Sequence, residues 1–231
     1  MANNDLVVNN PLKALGLEEK AKDGIRNMGL VMSRAGLGKT AILVQFALDC
    51  MLVGNKVLHV SIGETVDKTR SWYDDILSLL TEGETVESIP EVMKNRMIMT
   101  FKESSFSKAI LEERLDDLVE QNIYKPECLI IDGFDFTSAD RETVQEMREF
   151  MEQRGLKMIW FSAVRHREDD RVSTDGVPAP CHEIDDLFDT VLLINPEGDE
   201  INLDILKCEE CTVDPGTTLK LDPSTMLIQK G

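Results

Sequence analysis

Apolar positions along the chain fall into two alternating rhythms. Met28–Met32, Lys56–Ser61, Arg96–Phe101, Cys128–Asp132, Met158–Ser162 and Thr190–Asn195 are short β-like runs. Near-continuous apolar runs of this kind mark strands covered on both faces. Between them, apolar residues recur at helical spacing. Ala41–Val53 carries Ile42, Leu43, Val44, Phe46, Ala47, Leu48, Met51 and Leu52, so it is apolar nearly all round and predicts a buried helix. Gly54-Asn55 ends it. Val66–Leu80 is amphipathic, with Trp72, Tyr73, Ile76 and Leu80 on one side. Phe106, Ile110, Leu111, Leu115, Leu118 and Val119 predict another helix, capped by Ser104 or Ser105. Asp140–Arg154 predicts a fourth, with Val144, Met147 and Met151 inward. Thr81–Ser88 and Arg165–Pro180 read as loops, and Glu183–Phe188 as a short helix.

Strand alternating with helix implies right-handed crossovers and a mainly parallel sheet with helices on both faces. The expectation is α/β, a three-layer αβα arrangement in one domain spanning residues 1–231. Residues 1–27 form a lead-in with a short helical pattern (Leu12, Leu15, Leu17) and Pro11 in its first turn. After Pro196 the rhythm changes. Ile201–Lys207 alternates, and Thr217–Leu221 and Met226–Gln229 flank Asp222-Pro223-Ser224. Residues 196–231 are therefore expected as antiparallel strands or a hairpin at the sheet edge.

One junction carries chemistry. The first β-like run enters Ser33-Arg34-Ala35-Gly36-Leu37-Gly38-Lys39-Thr40, and Ala41 opens the buried helix. Glycines let backbone N–H groups turn toward an anion, and the helix start adds free donors and a positive dipole end. Lys39 can reach β- and γ-phosphate oxygens, and the Thr40 hydroxyl can ligate Mg²⁺. The usual phosphate-loop pattern places Gly where this chain has Ser33, but Gly36 through Thr40 stand intact between strand and helix. Residues 33–41 are the expected nucleotide cradle, with Lys39 also acting catalytically.

Two strand ends extend this reading. Asp132 closes the Ile130-Ile131 run, and in an open parallel sheet ligands sit at the strands' carboxyl ends. Asp132 is therefore expected to share the Mg²⁺ with Thr40. Asp135 reads as a turn cap. Glu64 follows the second strand as Ser61-Ile62-Gly63-Glu64, where a carboxylate can activate an attacking water.

Charge narrows the partners. The chain of 231 residues has a net charge of −18. That opposes duplex DNA binding, which rests on phosphate neutralisation. Arg165-His166-Arg167 is flanked by Glu168-Asp169-Asp170 and reads as a solvated loop. No apolar run reaches the roughly 18 residues of a membrane span, and no signal-peptide pattern opens the chain. A cytoplasmic location is the expectation. The five cysteines argue against a disulfide framework there. Cys50, Cys128 and His59 read as core. Cys208 and Cys211 form a lone CxxC that reads as chance pairing at a strand end.

Taken together, Gly36–Thr40, Ser61–Glu64, Ile130-Ile131-Asp132, the Trp160-Phe161-Ser162 strand and Leu206-Lys207 resemble the RecA-like P-loop ATPases, in the branch of KaiC and the replicative helicases. The resemblance covers about Met28 to Lys207. It implies ATP and Mg²⁺ as ligands, Glu64 as the water-activating carboxylate, and a homo-oligomer or protein partner. It also implies that the strand Ile201–Lys207 borders another subunit, with Lys207 reaching the neighbour's site. The family's paired acids after the second strand are here Gly63-Glu64, a helicase Gln is replaced by Ala163, and a finger Arg is replaced by Glu209. A finger Arg is worth several orders of magnitude in rate, so slow hydrolysis with a regulatory or assembly role is implied. The alternatives are a nucleotide-gated scaffold with little hydrolysis, a DNA recombinase or helicase-type motor, and a small-molecule kinase.

Overall fold

The computed structural model describes residues 10–18, 26–81, 88–166 and 168–229. Eight strands form one sheet: β1 (Asn27–Ser33), β2 (Val57–Ile62), β3 (Arg96–Phe101), β4 (Cys128–Asp132), β5 (Met158–Val164), β6 (Thr190–Glu197), β7 (Glu200–Cys208) and β8 (Thr218–Leu221). Their spatial order is β3-β2-β4-β5-β1-β6-β7-β8. The first six pair in parallel, and β7 and β8 are added antiparallel at one edge. β5 therefore lies between β1 and β4, so the ends of three central strands converge from distant parts of the chain.

The helices are α1 (Pro11–Ala14), α2 (Lys39–Leu52), α3 (Val66–Leu80), α4 (Ile89–Met93), α5 (Lys108–Glu120) and α6 (Arg141–Arg154). Alternation along the strands sorts the core into two faces. In β4, Cys128 and Ile130 join a cluster with α2 and α3, whereas Leu129 and Ile131 join one with α5 and α6. Helices thus cover both faces of an α/β sheet. On the α2 face, Phe46 stacks on Trp160 with ring centroids 3.7 Å apart. A Cβ on Gly29 would stand 2.3 Å from that indole, so only glycine lets β1 lie beneath it. Residues 10–18 of the expected lead-in pack on α2, where buried Asp49 accepts the Leu12 N–H at 2.9 Å; residues 1–9 and 19–25 lie outside the described residues. Burial pushes the Asp49 carboxyl well above the usual range.

Several expectations are corrected. Ser104 and Ser105 lie in a 3₁₀ turn, and Ser107 caps α5 by accepting the Ile110 N–H. Phe106 between them is extended, so the helix can begin only after it. Glu183–Phe188 provides only a one-turn 3₁₀ helix, Asp185–Leu187. The short helix α4 was not anticipated, and the rest of the expected Thr81–Ser88 loop lies mostly outside the described residues. At the edge, β8 pairs with β7, while the Met226–Gln229 run contributes a single bridge, Leu221 to Ile228. That run instead turns inward. The Gln45 amide of α2 donates to the Met226 carbonyl at 2.9 Å, and the Met226 side chain lies against Gly38. Finally, Cys208 and Cys211 are joined in a disulfide, against the expectation of none. The turn after β7 brings their Cα atoms to 5.5 Å, within bridging range. Cys50, Cys128 and Cys181 are free and buried.

Candidate functional site

The site starts at the end of β1. Ser33 is buried, Arg34 through Gly36 are exposed, and Leu37 through Thr40 are half-buried as the chain turns into α2. Gly36 and Gly38 have φ of 77° and 79°, a region that L side chains rarely adopt. At Gly38 glycine is needed twice over, because a Cβ would also stand 2.6 Å from the Met226 methyl. Ser33 occupies the place where the common pattern has glycine, and its hydroxyl is engaged. It donates to the Arg34 carbonyl at 2.7 Å and accepts from Lys39 Nζ at 3.2 Å. Lys39 Nζ also donates to the Arg34 carbonyl at 3.2 Å. The ammonium is thus folded back over its own loop. Burial pulls the Lys39 pKa down, and the nearby Asp132 charge opposes that. Ala41 is buried in the first turn of α2.

From β4 comes Asp132, and it is held on both sides. Thr40 Oγ1 donates to its Oδ2 at 2.7 Å, across 92 residues of sequence. Ser162 Oγ, from β5, donates to its Oδ1 at 2.6 Å and accepts the Gly133 N–H at 3.0 Å. Two strand ends and the start of α2 are therefore locked around one carboxylate. The expected partners Thr40 and Asp132 do converge. Ser162, quoted at first only as part of a strand, is the residue whose role sequence reasoning missed. Its signal was a hydroxyl at the carboxyl end of an otherwise apolar run.

These residues fit a Mg²⁺–phosphate ligand. A hydroxyl and a carboxylate meet at hydrogen-bond distance beside a glycine-rich loop and an ammonium. Among the described residues no group of three or more His, Cys, Asp or Glu gathers to hold a metal unaided. Mg²⁺ does not require one, since it keeps waters and shares itself with phosphate oxygens.

Glu64 stands apart from this cluster. It precedes Thr65, which caps α3 by accepting the Lys68 N–H, and its carboxylate pairs with Lys68 Nζ at 2.5 Å. Both side chains are about half exposed, at 46% for Glu64 and 57% for Lys68. Lys207 is engaged within its own chain, 3.0 Å from Glu209 Oε1 and 3.4 Å from the Asp185 carbonyl. Asp135 forms the expected turn, accepting from the Thr137 N–H at 2.9 Å; hydrogen bonds from Thr137 and Ser138 hold its carboxyl below the usual range.

Beyond Gly133 opens a cleft of about 630 Å³. Ile62, Glu103, Phe106, Phe134, Thr137 and Ser162 are among its walls. Phe134 meets Phe106 and Phe136 edge-on at 6.0 and 4.7 Å between centroids, which makes one wall rigid and apolar. The volume is that of a small-molecule site, and the cleft shares Gly133 and Ser162 with the Asp132 cluster. Set against known proteins, the chain matches no family model and no curated relative.

Proposed function

We propose that this chain is an Mg²⁺-dependent, ATP-binding P-loop ATPase of RecA/KaiC-like build, with slow turnover and a regulatory or assembly role. The observation that carries the reading is the Thr40–Asp132 contact at 2.7 Å, braced by Ser162. Two segments 92 residues apart have no structural need to place a hydroxyl and a carboxylate together at the mouth of a glycine-rich loop. Thr40 and Asp132 would hold a divalent ion there, which would neutralise phosphate charge.

The chain's own groups have definable tasks in this reading. Backbone N–H groups of residues 34–40 bind phosphate oxygens, helped by the start of α2. Lys39 exchanges the Ser33 and Arg34 oxygens for a phosphate, so its ammonium leaves two neutral acceptors for an anion. The Thr40 hydroxyl and Asp132 orient the ion, and Ser162 fixes Asp132. Adenine over guanine is expected from the resemblance alone.

A second reading, a nucleotide-gated scaffold with little hydrolysis, is favoured by Glu64 being ion-paired at the surface. Calorimetry decides whether nucleotide binds at all. Mg-ATP should bind the protein with magnesium present and far more weakly with chelator. Equal heats with and without magnesium would sink the ATPase and the scaffold readings together.

A further inference from the structure

We propose that Glu103, just past β3, is the carboxylate that takes the proton from the attacking water, ahead of Glu64; this rests on the ATPase reading above. Glu103 opens the 3₁₀ turn two residues after Phe101, which ends β3 and pairs with Ile62 at the end of β2. It is exposed, and its side chain lies over Gly63 on the wall of the cleft. A Cβ on Gly63, which has φ of 84°, would lie 2.8 Å from Glu103 Oε1 and 3.3 Å from its Cγ. The carboxylate therefore occupies the space that a side chain at position 63 would fill.

A second glycine brings that space up to the metal-binding strand. A Cβ on Gly133, φ 91°, would stand 2.4 Å from the Ile62 carbonyl oxygen. Two glycines thus let three adjacent strand ends close up, in the order Glu103, Gly63 with Ile62, Gly133 with Asp132. Glu103 and Ser162 face one cleft, and Ser162 holds Asp132. Among the described residues Glu103 has no ion pair or hydrogen bond to its carboxylate, so it is available as an acceptor. Glu64 is the reverse case: its carboxylate is turned along α3 to Lys68 and does not line the cleft.

The step balances as follows. A water in the cleft attacks the γ-phosphorus, the bond from that phosphorus to the β–γ bridging oxygen breaks, and ADP leaves with the bonding electron pair. The water proton passes to the Glu103 carboxylate, which later returns it to solvent. Ile62, Phe106 and Phe134 line the same cleft as Glu103 and give it an apolar wall beside the carboxylate.

The experiment compares E103Q, E103D and E64Q with the natural protein. It measures Mg-ATP affinity by calorimetry, phosphate release under saturating ATP, and melting temperature. E103Q should bind Mg-ATP within about twofold of the natural protein, melt unchanged, and lose about a hundredfold in kcat with KM little altered. E103D should recover part of the loss, and E64Q should lose less than E103Q. A kcat loss in E64Q equal to or larger than that in E103Q would overturn the assignment. So would natural protein that binds Mg-ATP yet releases phosphate no faster than buffer. Absence of Mg-ATP binding would overturn the nucleotide reading itself, a result separable from either of those.

Discussion

Two neighbouring strands, β2 and β4, run in register and end in opposite ways. Ser61 pairs with Asp132, so both reach the same edge of the sheet. At the β4 end Asp132 is clasped by Thr40 and Ser162. At the β2 end Gly63 leaves a gap and Glu64 leans outward to Lys68. Their interiors differ too: β4 is apolar through Leu129, Ile130 and Ile131, whereas β2 buries His59 opposite Ile130. The contrast teaches that neighbouring strand ends can be built independently, one carboxylate clasped by two hydroxyls and the next paired at the surface, so each can be altered alone.

The largest effect should come from breaking the clasp. D132A is expected to weaken Mg-ATP binding by about a thousandfold, since it removes the carboxylate that orients the ion. E64Q should leave that affinity within about twofold. Calorimetry on the two variants tests the division directly, and equal losses would erase it.

Next in size is a pH effect confined to β2. His59 Nδ1 shares a hydrogen bond with the Tyr73 hydroxyl at 2.9 Å, while Nε2 has no partner among the described residues. Burial, opposed by Asp132 and reinforced by Arg96, pulls its pKa from 6.5 down to about 4. The unfolded chain takes up this proton as pH falls through 6.5, the folded chain only near 4. Between those values the unfolded state binds more protons, so stability falls as pH drops, by up to about 3 kcal/mol, and is complete above 6.5. Urea midpoints across this range should show the slope. H59Q should flatten that part of it, whatever its own cost at pH 7.

S162A should follow. It strips one donor from Asp132 and the acceptor from the Gly133 N–H, at a cost of about 1–2 kcal/mol in stability. Mg-ATP affinity should fall about tenfold, the usual scale for removing a group that orients a metal ligand. The smallest effect belongs to K68A. An exposed pair is worth under about 1 kcal/mol, so denaturant midpoints should barely move. A large loss there would mean that the β2 end is as tightly built as its neighbour.

Much of this was legible in the sequence because it is local. Gly36 through Thr40 read as a strand-to-helix turn by type and order, and the run ending in Asp132 reads as a covered strand by apolar continuity. The parallel sheet followed from the alternation of strand and helix, and its antiparallel edge from the change of rhythm after Pro196. What escaped depends on neighbours that sequence order does not name. Strand order puts β5 between β1 and β4, and only then does Ser162 meet Asp132. Glu103 follows the third strand much as Glu64 follows the second, yet its position depends on the side chain missing at Gly63. Gly29 looked like one more small residue in a strand, but Trp160 allows nothing else there. The Cys208–Cys211 bond depended on how the chain turned after β7.

One earlier contact bears on the order in which the molecule is made. The loop that would grip phosphate is translated early, whereas Met226, the side chain seated on Gly38, is translated late. A nascent chain that has already displayed residues 28–53 lacks the segment that backs Gly38, and the Gln45 amide lacks its Met226 acceptor. The Gly38 turn and the Gln45 amide therefore gain these contacts only once a segment made much later folds back onto α2.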